Sequence, residues 1–248
     1  MELKAFFESC PQVAVAFSGG VDSAYLLYAA SKRCKRVKAY YVKTPFQPEF
    51  ELEDACRLAE ELSVPMEILS VDVLQEPCIA KNDSRRCYHC KRKIFSAIQK
   101  AAFADGFFLL FDGSNADDSP EDRPGMQALT ELSVRSPLRE CGLHKEEIRR
   151  LSREAGLFTH DKPAYACLAT RIPTGEEITQ EKLTQTERAE KYLTEQGFRN
   201  FRVRLLNRAA KIQIRETQLP LLMEKHAELV KELKKDYSSV LLDLEWRK

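Results

Sequence analysis

The chain has 248 residues, with 39 lysines and arginines against 38 aspartates and glutamates, a formal net charge of +1. Hydrophobic residues make up 44% and charged residues 31%, a composition that excludes a disordered chain and allows one large domain or two modest ones. The near-zero charge argues against a dedicated nucleic-acid binder, and the lack of an 18-residue apolar run argues against a membrane span.

The elements follow in chain order. Val13 to Phe17 is an apolar run, followed by Ser18-Gly19-Gly20 and a helical stretch from Ser23 to about Arg33. Val37 to Val42 predicts a second strand, 50 to 62 a helix, Met66 to Val71 a third strand, and 87 to 104 a helix closed by Gly106. Phe107 to Phe111 predicts a fourth, fully apolar strand, and 143 to 156 a further helix. Strands alternating with helices imply a parallel sheet covered on both faces, with ligands beyond the carboxyl ends of the strands. Leu157 to Glu177, with Pro163, Pro173 and Gly175, reads as an interdomain loop. A helix to Gln196, strands at Phe201 to Leu205 and Lys211 to Arg215, a helix from Pro220 to Lys235 and a strand from Val240 to Leu244 complete the chain. The expectation is an α/β fold in two parts, residues 1–160 on the parallel sheet and 161–248 as a smaller α+β domain.

Between the first strand and its helix stands Ser18-Gly19-Gly20-Val21-Asp22-Ser23. Glycines let the backbone turn tightly against an anion, and a helix N-terminus supplies unpaired N–H groups. The turn is neither a Walker A loop nor a GxGxxG fingerprint. After the fourth strand comes Asp112-Gly113-Ser114-Asn115-Ala116-Asp117-Asp118, followed by Arg123-Pro124-Gly125 and Arg135-Ser136-Pro137-Leu138. Asp22, Asp117 and Asp118 have the oxygen chemistry for Mg²⁺ on a nucleotide, while Asn115 and Asp117 equally suit helix capping.

The eight cysteines are the other chemistry-bearing set. The N-terminus, Met1-Glu2-Leu3-Lys4, has no secretory apolar region, so a reducing, cytoplasmic setting with free thiols is expected. Cys10, Cys34, Cys56, Cys78 and Cys141 have no partner spacing. Cys87 and Cys90 form a single CxxC, open to a structural, redox or metal reading, and zinc would need a second pair. Cys167 stands in the special loop with Arg171 close by, a guanidinium suited to a thiolate or a phosphate. Arg202 and Arg204 alternate along a strand and so share one face, with Glu190 on the preceding helix.

The Ser-Gly-Gly-Val-Asp-Ser turn resembles the pyrophosphate loop of the PP-loop ATPases. Together with the aspartate-rich turn, the two later motifs and Lys162-Pro163-Ala164-Tyr165-Ala166-Cys167-Leu168-Ala169-Thr170-Arg171-Ile172-Pro173, the chain resembles the LarE family over nearly its whole length. The Arg86 to Lys91 segment also matches a pattern of that family. The resemblance implies an ATP-dependent sulfur transferase acting, with Mg²⁺, on pyridinium-3,5-biscarboxylic acid mononucleotide in the assembly of the nickel-pincer cofactor of lactate racemase. It implies Ser18, Gly19, Gly20, Asp22, Ser23, Asp112, Asn115 and Asp118 around ATP, and Cys167 as sulfur donor. It also implies Arg171, Glu190, Arg202 and Arg204 around the substrate or a subunit interface, and a homo-oligomer. Some relatives hold an iron–sulfur cluster on clustered cysteines. Cys167 has no cysteine near it in sequence, which points to the single-turnover subclass left with dehydroalanine. The rival expectations are a tRNA-thiolating or amide-forming relative and a non-catalytic nucleotide-binding module.

Overall fold

A computed structural model describes residues 2–118 and 124–247. Its elements run α1 (Leu3–Glu8), β1 (Gln12–Ala16), α2 (Val21–Arg33), β2 (Arg36–Lys43), α3 (Glu49–Glu61), β3 (Met66–Ser70), α4 (Pro77–Ala80), α5 (Arg86–Ala104) and β4 (Leu110–Phe111). They continue with α6 (Pro124–Glu131), α7 (Pro137–Glu140), α8 (Lys145–Glu154), α9 (Gln180–Glu195), β5 (Arg202–Leu206), β6 (Ala209–Gln213), α10 (Leu219–Leu233) and β7 (Val240–Leu242). The chain divides into two compact units, Met1–Val73 with Arg85–Lys162, and Leu74–Ser84 with Pro163–Lys248. The excursion at 74–84 has no counterpart in the sequence reading, which set a single boundary after residue 160.

The first unit is built on a parallel sheet in the order β3-β2-β1-β4. Alternation in β1 and β2 sends Val13, Val15, Ala39 and Tyr41 to a core shared with α1, α2, α3 and α8. Ala14, Tyr40 and Val42 point to the opposite face, where Phe95, Ile98 and Ala102 of α5 and Met126 and Leu129 of α6 cover them. This is the doubly covered α/β sheet the strand–helix alternation predicts. The order places β2 on one side of β1 and β4 on the other, so the chain reverses direction across the sheet at β1. The crevice beyond the carboxyl ends of β1 and β4 is where such sheets accept ligands.

The apolar run Phe107–Phe111 overstates its strand. Only Leu110 and Phe111 pair with β1. Phe107 and Leu110 enter the core, whereas Phe108 is 77% exposed and meets the exposed Phe103 edge to face. Hydrophobicity alone cannot separate a paired residue from one that passes the flank of the sheet.

The second unit pairs β5 antiparallel to β6 and β6 parallel to β7. Val203, Leu205, Ala210 and Ile212 line one face of this sheet and pack on Leu193 of α9 and Leu222, Leu229 and Leu233 of α10, with Trp246 against the same core. The helix expected from Pro220 is therefore a packing helix. β6 begins two residues before its expected start because Asn207 and Arg208, both at positive φ (48° and 67°), close a two-residue hairpin turn. The segment 74–84 is tied in by Asn82, fully buried, whose side-chain amide donates to the carbonyls of Pro173 (2.8 Å) and Glu176 (3.0 Å).

Candidate functional site

In the first unit, three sequence motifs meet at the carboxyl edge of β1 and β4. The Ser18–Ser23 turn is closed internally: Ser23 Oγ donates to the Gly20 carbonyl (3.1 Å) and lies 3.1 Å from Ser18 Oγ. α2 starts at Val21, and its Gly20 cap has no side chain to occupy the first amides. Helix geometry leaves the Val21, Asp22 and Ser23 N–H groups without intrahelical acceptors, the arrangement that suits an anion. Gly19 lies at φ 72°, and a Cβ there would come within 3.1 Å of the Glu51 carbonyl. Gly113, after β4, passes so close to α2 that a Cβ would lie 2.8 Å from the Ser23 nitrogen. Only glycine lets the two turns touch.

Asp112 is buried and accepts from Ser114 Oγ and Ser136 Oγ, both at 2.5 Å. Ser136 reaches it because Arg135 extends the sheet beside β4, pairing with Phe111. Asp112 therefore joins the second and fourth motifs rather than presenting a free carboxylate. Asn115 Oδ1 accepts from the Asp117 amide (2.9 Å), and Asp118 Oδ2 from the Asn115 amide (3.0 Å), so both shape the turn. Asp117 takes the capping alternative. It accepts from the Lys145 amide (2.7 Å) at the start of α8 and from His144 Nδ1 (2.6 Å), and the His144 contact followed by the Lys145 amide holds its carboxyl below the usual aspartate range.

Asp22 pairs through Oδ2 with Lys145, while its Oδ1 is buried without a hydrogen-bond partner. A buried carboxylate oxygen lacking a donor fits a cation, so Asp22 passes the test for an Mg²⁺ ligand. Arg123 lies outside the described residues. Its neighbour Gly125 opens room for the stem of Lys91, whose Cδ would stand 2.7 Å from a Cβ at that position. The Arg86–Lys91 segment and the Pro124-Gly125 step are therefore one packing unit.

The second unit holds the Cys167 loop. Cys167, half-buried, precedes a short 3-10 turn, Leu168–Arg171, and its carbonyl accepts from the Thr170 amide (3.0 Å) and hydroxyl (2.8 Å). Arg171 is 1% exposed and fork-bonded to Glu190, Nε to Oε1 at 2.8 Å and Nη2 to Oε2 at 2.9 Å. Its Nη1 donates to the Ala166 carbonyl and Thr170 Oγ1, each at 2.8 Å. Burial works against this guanidinium, yet the Glu190 hydrogen bonds and charge outweigh it and raise its pKa. Glu190 also accepts from Tyr165 Oη (2.7 Å) and the Val203 amide (2.9 Å), which fills its four acceptor positions. Arg171 and Glu190, expected around the substrate or a subunit interface, have these polar groups bonded to one another and to the loop.

Arg202 and Arg204 do share a face, and both reach the same loop. Arg202 donates to the carbonyls of Ala164 and Phe201, both at 2.7 Å, and Arg204 to that of Thr170 at 2.6 Å. Arg202 is 6% exposed and forms no ion pair among the described residues. Burial, then the charges of Arg171 and Arg247, pull its pKa down to about 10.

All eight cysteines are thiols. Cys87 and Cys90 lie in the first two turns of α5, and among the described residues no group of three or more histidine, cysteine, aspartate or glutamate side chains is placed to hold a metal. Burial, then Cys10, pushes Cys34 up to about 11. Among the described residues no helix is long and apolar enough to cross a membrane.

Sequence reasoning missed two lysines. Lys145 sits on Asp22 from α8, in no motif at all. Lys162, inside a quoted motif but given no role, pairs with Asp54 (2.7 Å) and donates to the Gly19 carbonyl (3.3 Å). It ends the first unit, five residues before Cys167.

A family model described as queuosine biosynthesis protein QueC matches residues 12–93. The chain is 38% identical over 219 residues to an uncharacterized protein of Synechocystis sp., covering 88% of this chain and 81% of that one. It is 32% identical over 219 residues to the pyridinium-3,5-bisthiocarboxylic acid mononucleotide synthase of Lactiplantibacillus plantarum, covering 88% and 79%. To the tRNA-specific 2-thiouridylase MnmA of a Thermotoga species it is 31% identical over 194 residues, covering 61% and 54%. The match to the Lactiplantibacillus synthase over 88% of this chain and 79% of that one, joined to a glycine turn at the point where the sheet reverses, shows that the chain belongs to the LarE family.

Proposed function

We propose that this protein is an ATP-dependent sulfur transferase that converts a carboxylate of pyridinium-3,5-biscarboxylic acid mononucleotide into a thiocarboxylate with the sulfur of Cys167. A carboxylate oxygen of the substrate attacks the α-phosphorus of ATP, and pyrophosphate leaves. The Val21, Asp22 and Ser23 amides receive the pyrophosphate, and the closed Ser18–Ser23 geometry holds them ready without reorganisation. Asp22, through its unpartnered oxygen, is the residue that would hold Mg²⁺, which supplies charge neutralisation on the phosphates. The Cys167 thiolate then attacks the acyl carbon of the adenylate and AMP departs, leaving a thioester. Removal of the Cys167 α-proton breaks the Cβ–S bond. Sulfur keeps the bonding pair and leaves as the thiocarboxylate, and residue 167 becomes dehydroalanine. A thiol that must stay reduced and a reaction that draws on ATP both suit a cytoplasmic setting.

The observation that carries this reading is the Cys167 loop: a half-buried thiol in a segment whose Tyr165 and Arg171 side chains bond Glu190 and whose Ala164 and Thr170 carbonyls accept from Arg202 and Arg204 of β5. Arg202 supplies the positive charge for a substrate rich in phosphate and carboxylate. The printed name of the Lactiplantibacillus relative, a bisthiocarboxylic acid mononucleotide synthase, supports the same chemistry.

Intact-protein mass spectrometry after incubation with ATP, Mg²⁺ and the dicarboxylate mononucleotide tests it. Loss of one H₂S per chain, mapped to residue 167, is the expected result. Thiocarboxylate formed with the mass unchanged over several turnovers would replace Cys167 as donor by a cluster or an external sulfur source.

A further inference from the structure

Lys145 holds a position that neither motif nor fold class explains. Its main-chain amide donates to Asp117 in the turn after β4, and its ammonium is ion-paired with Asp22 in the first turn of α2. One residue thus touches both turns that flank the crevice. The neighbouring His144 adds a second tie to Asp117, so the start of α8 is fixed before any ligand arrives. The Lys145 side chain is one-third exposed, and the carboxylate it meets retains a second oxygen that is buried and unpartnered.

The electrostatics of this arrangement are unusual for an anion seat. Pyrophosphate at the α2 amides would lie beside the Asp22 carboxylate, and like charges at such range repel. Besides the Mg²⁺ that Asp22 would hold, the chain places a cation of its own here. Lys145 is the lysine already in contact with Asp22, and its flexible four-carbon stem lets the ammonium shift while the backbone stays pinned at Asp117.

We propose that Lys145 is the protein cation for the pyrophosphate group, pairing with Asp22 in the free enzyme and bridging Asp22 and the β-phosphate when the nucleotide is bound. As the bond between the α-phosphorus and its bridging oxygen breaks, negative charge accumulates on the leaving pyrophosphate, and the ammonium offsets that charge without giving up a proton. The assignment rests on reading Ser18–Ser23 as the pyrophosphate seat and is independent of the Cys167 chemistry.

Calorimetric titration of the full chain with inorganic pyrophosphate in the presence of Mg²⁺ tests it. Lys145→Met is expected to weaken binding at least tenfold with an unchanged Tm, and Lys145→Arg to stay within threefold of the parent. His144→Ala removes one tie to Asp117 but keeps the ammonium, and is expected to stay within threefold. Binding by Lys145→Met within twofold of the parent overturns the proposal. So does an equal loss in His144→Ala, which would assign the effect to the scaffold, or a parent chain that does not bind pyrophosphate. The expected binding pattern in a parent that makes no thiocarboxylate leaves the Lys145 assignment standing and removes the proposed function instead.

Discussion

In the Ser18–Ser23 turn the hydroxyls close on the backbone, and the amides of Val21, Asp22 and Ser23 are left without intrahelical acceptors. In the Ala164–Arg171 loop the reverse holds: Tyr165, Thr170 and Arg171 all bond inward, and Glu190, Arg202 and Arg204 reach in from α9 and β5 to complete the set. The first segment leaves donors open, and the second satisfies nearly every polar group around its thiol. On the proposed reading the difference follows: a diffusible anion needs open donors, whereas a protein nucleophile that meets an acyl adenylate once needs a backbone that does not wander.

The sharpest way to break this contrast is to remove the thiol from the second loop. Cys167→Ala should abolish thiocarboxylate formation while nucleotide binding at the first unit remains at parent strength, read by product chromatography beside an ATP titration. Loss of ATP binding in this variant would show that the two segments are not separable.

The scaffold comes next in size. Glu190→Gln leaves Arg171 buried beside an amide that cannot neutralise it, and breaking a buried pair from one side costs about 3–5 kcal/mol. Thermal denaturation should show a fall in Tm on the order of 10 °C. A replacement of both partners by apolar residues should recover much of that loss. If Glu190→Gln melts with the parent, the loop is not held by this pair.

Gly113→Ala probes the open turn. The added Cβ would stand 2.8 Å from the Ser23 nitrogen, so backbone must move, at about 1–3 kcal/mol of strain. The expected outcome is a several-fold weaker affinity for ATP with product chemistry at saturating ATP preserved.

The smallest effect lies at Asp243, which Lys211 (2.8 Å) and then Gln213 (2.6 Å) hold down to about 2. A depressed carboxyl contributes stability that is fully present above its ordinary value near 4 and is lost as pH falls toward 2. Asp243→Asn should therefore melt below the parent at neutral pH and converge with it near pH 2. Parallel melting curves at every pH would remove this carboxylate from the acid response of the second unit.

Much of the first segment was legible because its residues are consecutive. Strand, glycine turn and helix start follow one another, and local sequence carries local geometry. Cys167, Arg202 and Arg204 were legible as types, but their partnerships were not. Whether a guanidinium faces a ligand or a carbonyl depends on residues 30 or more positions away, as with Arg202 and Ala164. Lys145 escaped for the same reason: nothing in its own neighbourhood signals that α8 packs its first turn on α2. Asn207 and Arg208 escaped because arginine at positive φ is not a turn signature.

The segment 74–84 has a consequence for how the chain is made and how it can be divided. Asn82 belongs to the second unit but is translated ninety residues before the carbonyls of Ile172 and Pro173 that receive its amide. During synthesis the strap must wait for the rest of its unit. A gene cut after residue 162 would strand Ile79 and Asn82 on the wrong fragment and leave the remainder with an open seam. Cys167 cannot be moved as a C-terminal cassette, because its unit also includes Leu74–Ser84, which lies in sequence between the two stretches of the first unit.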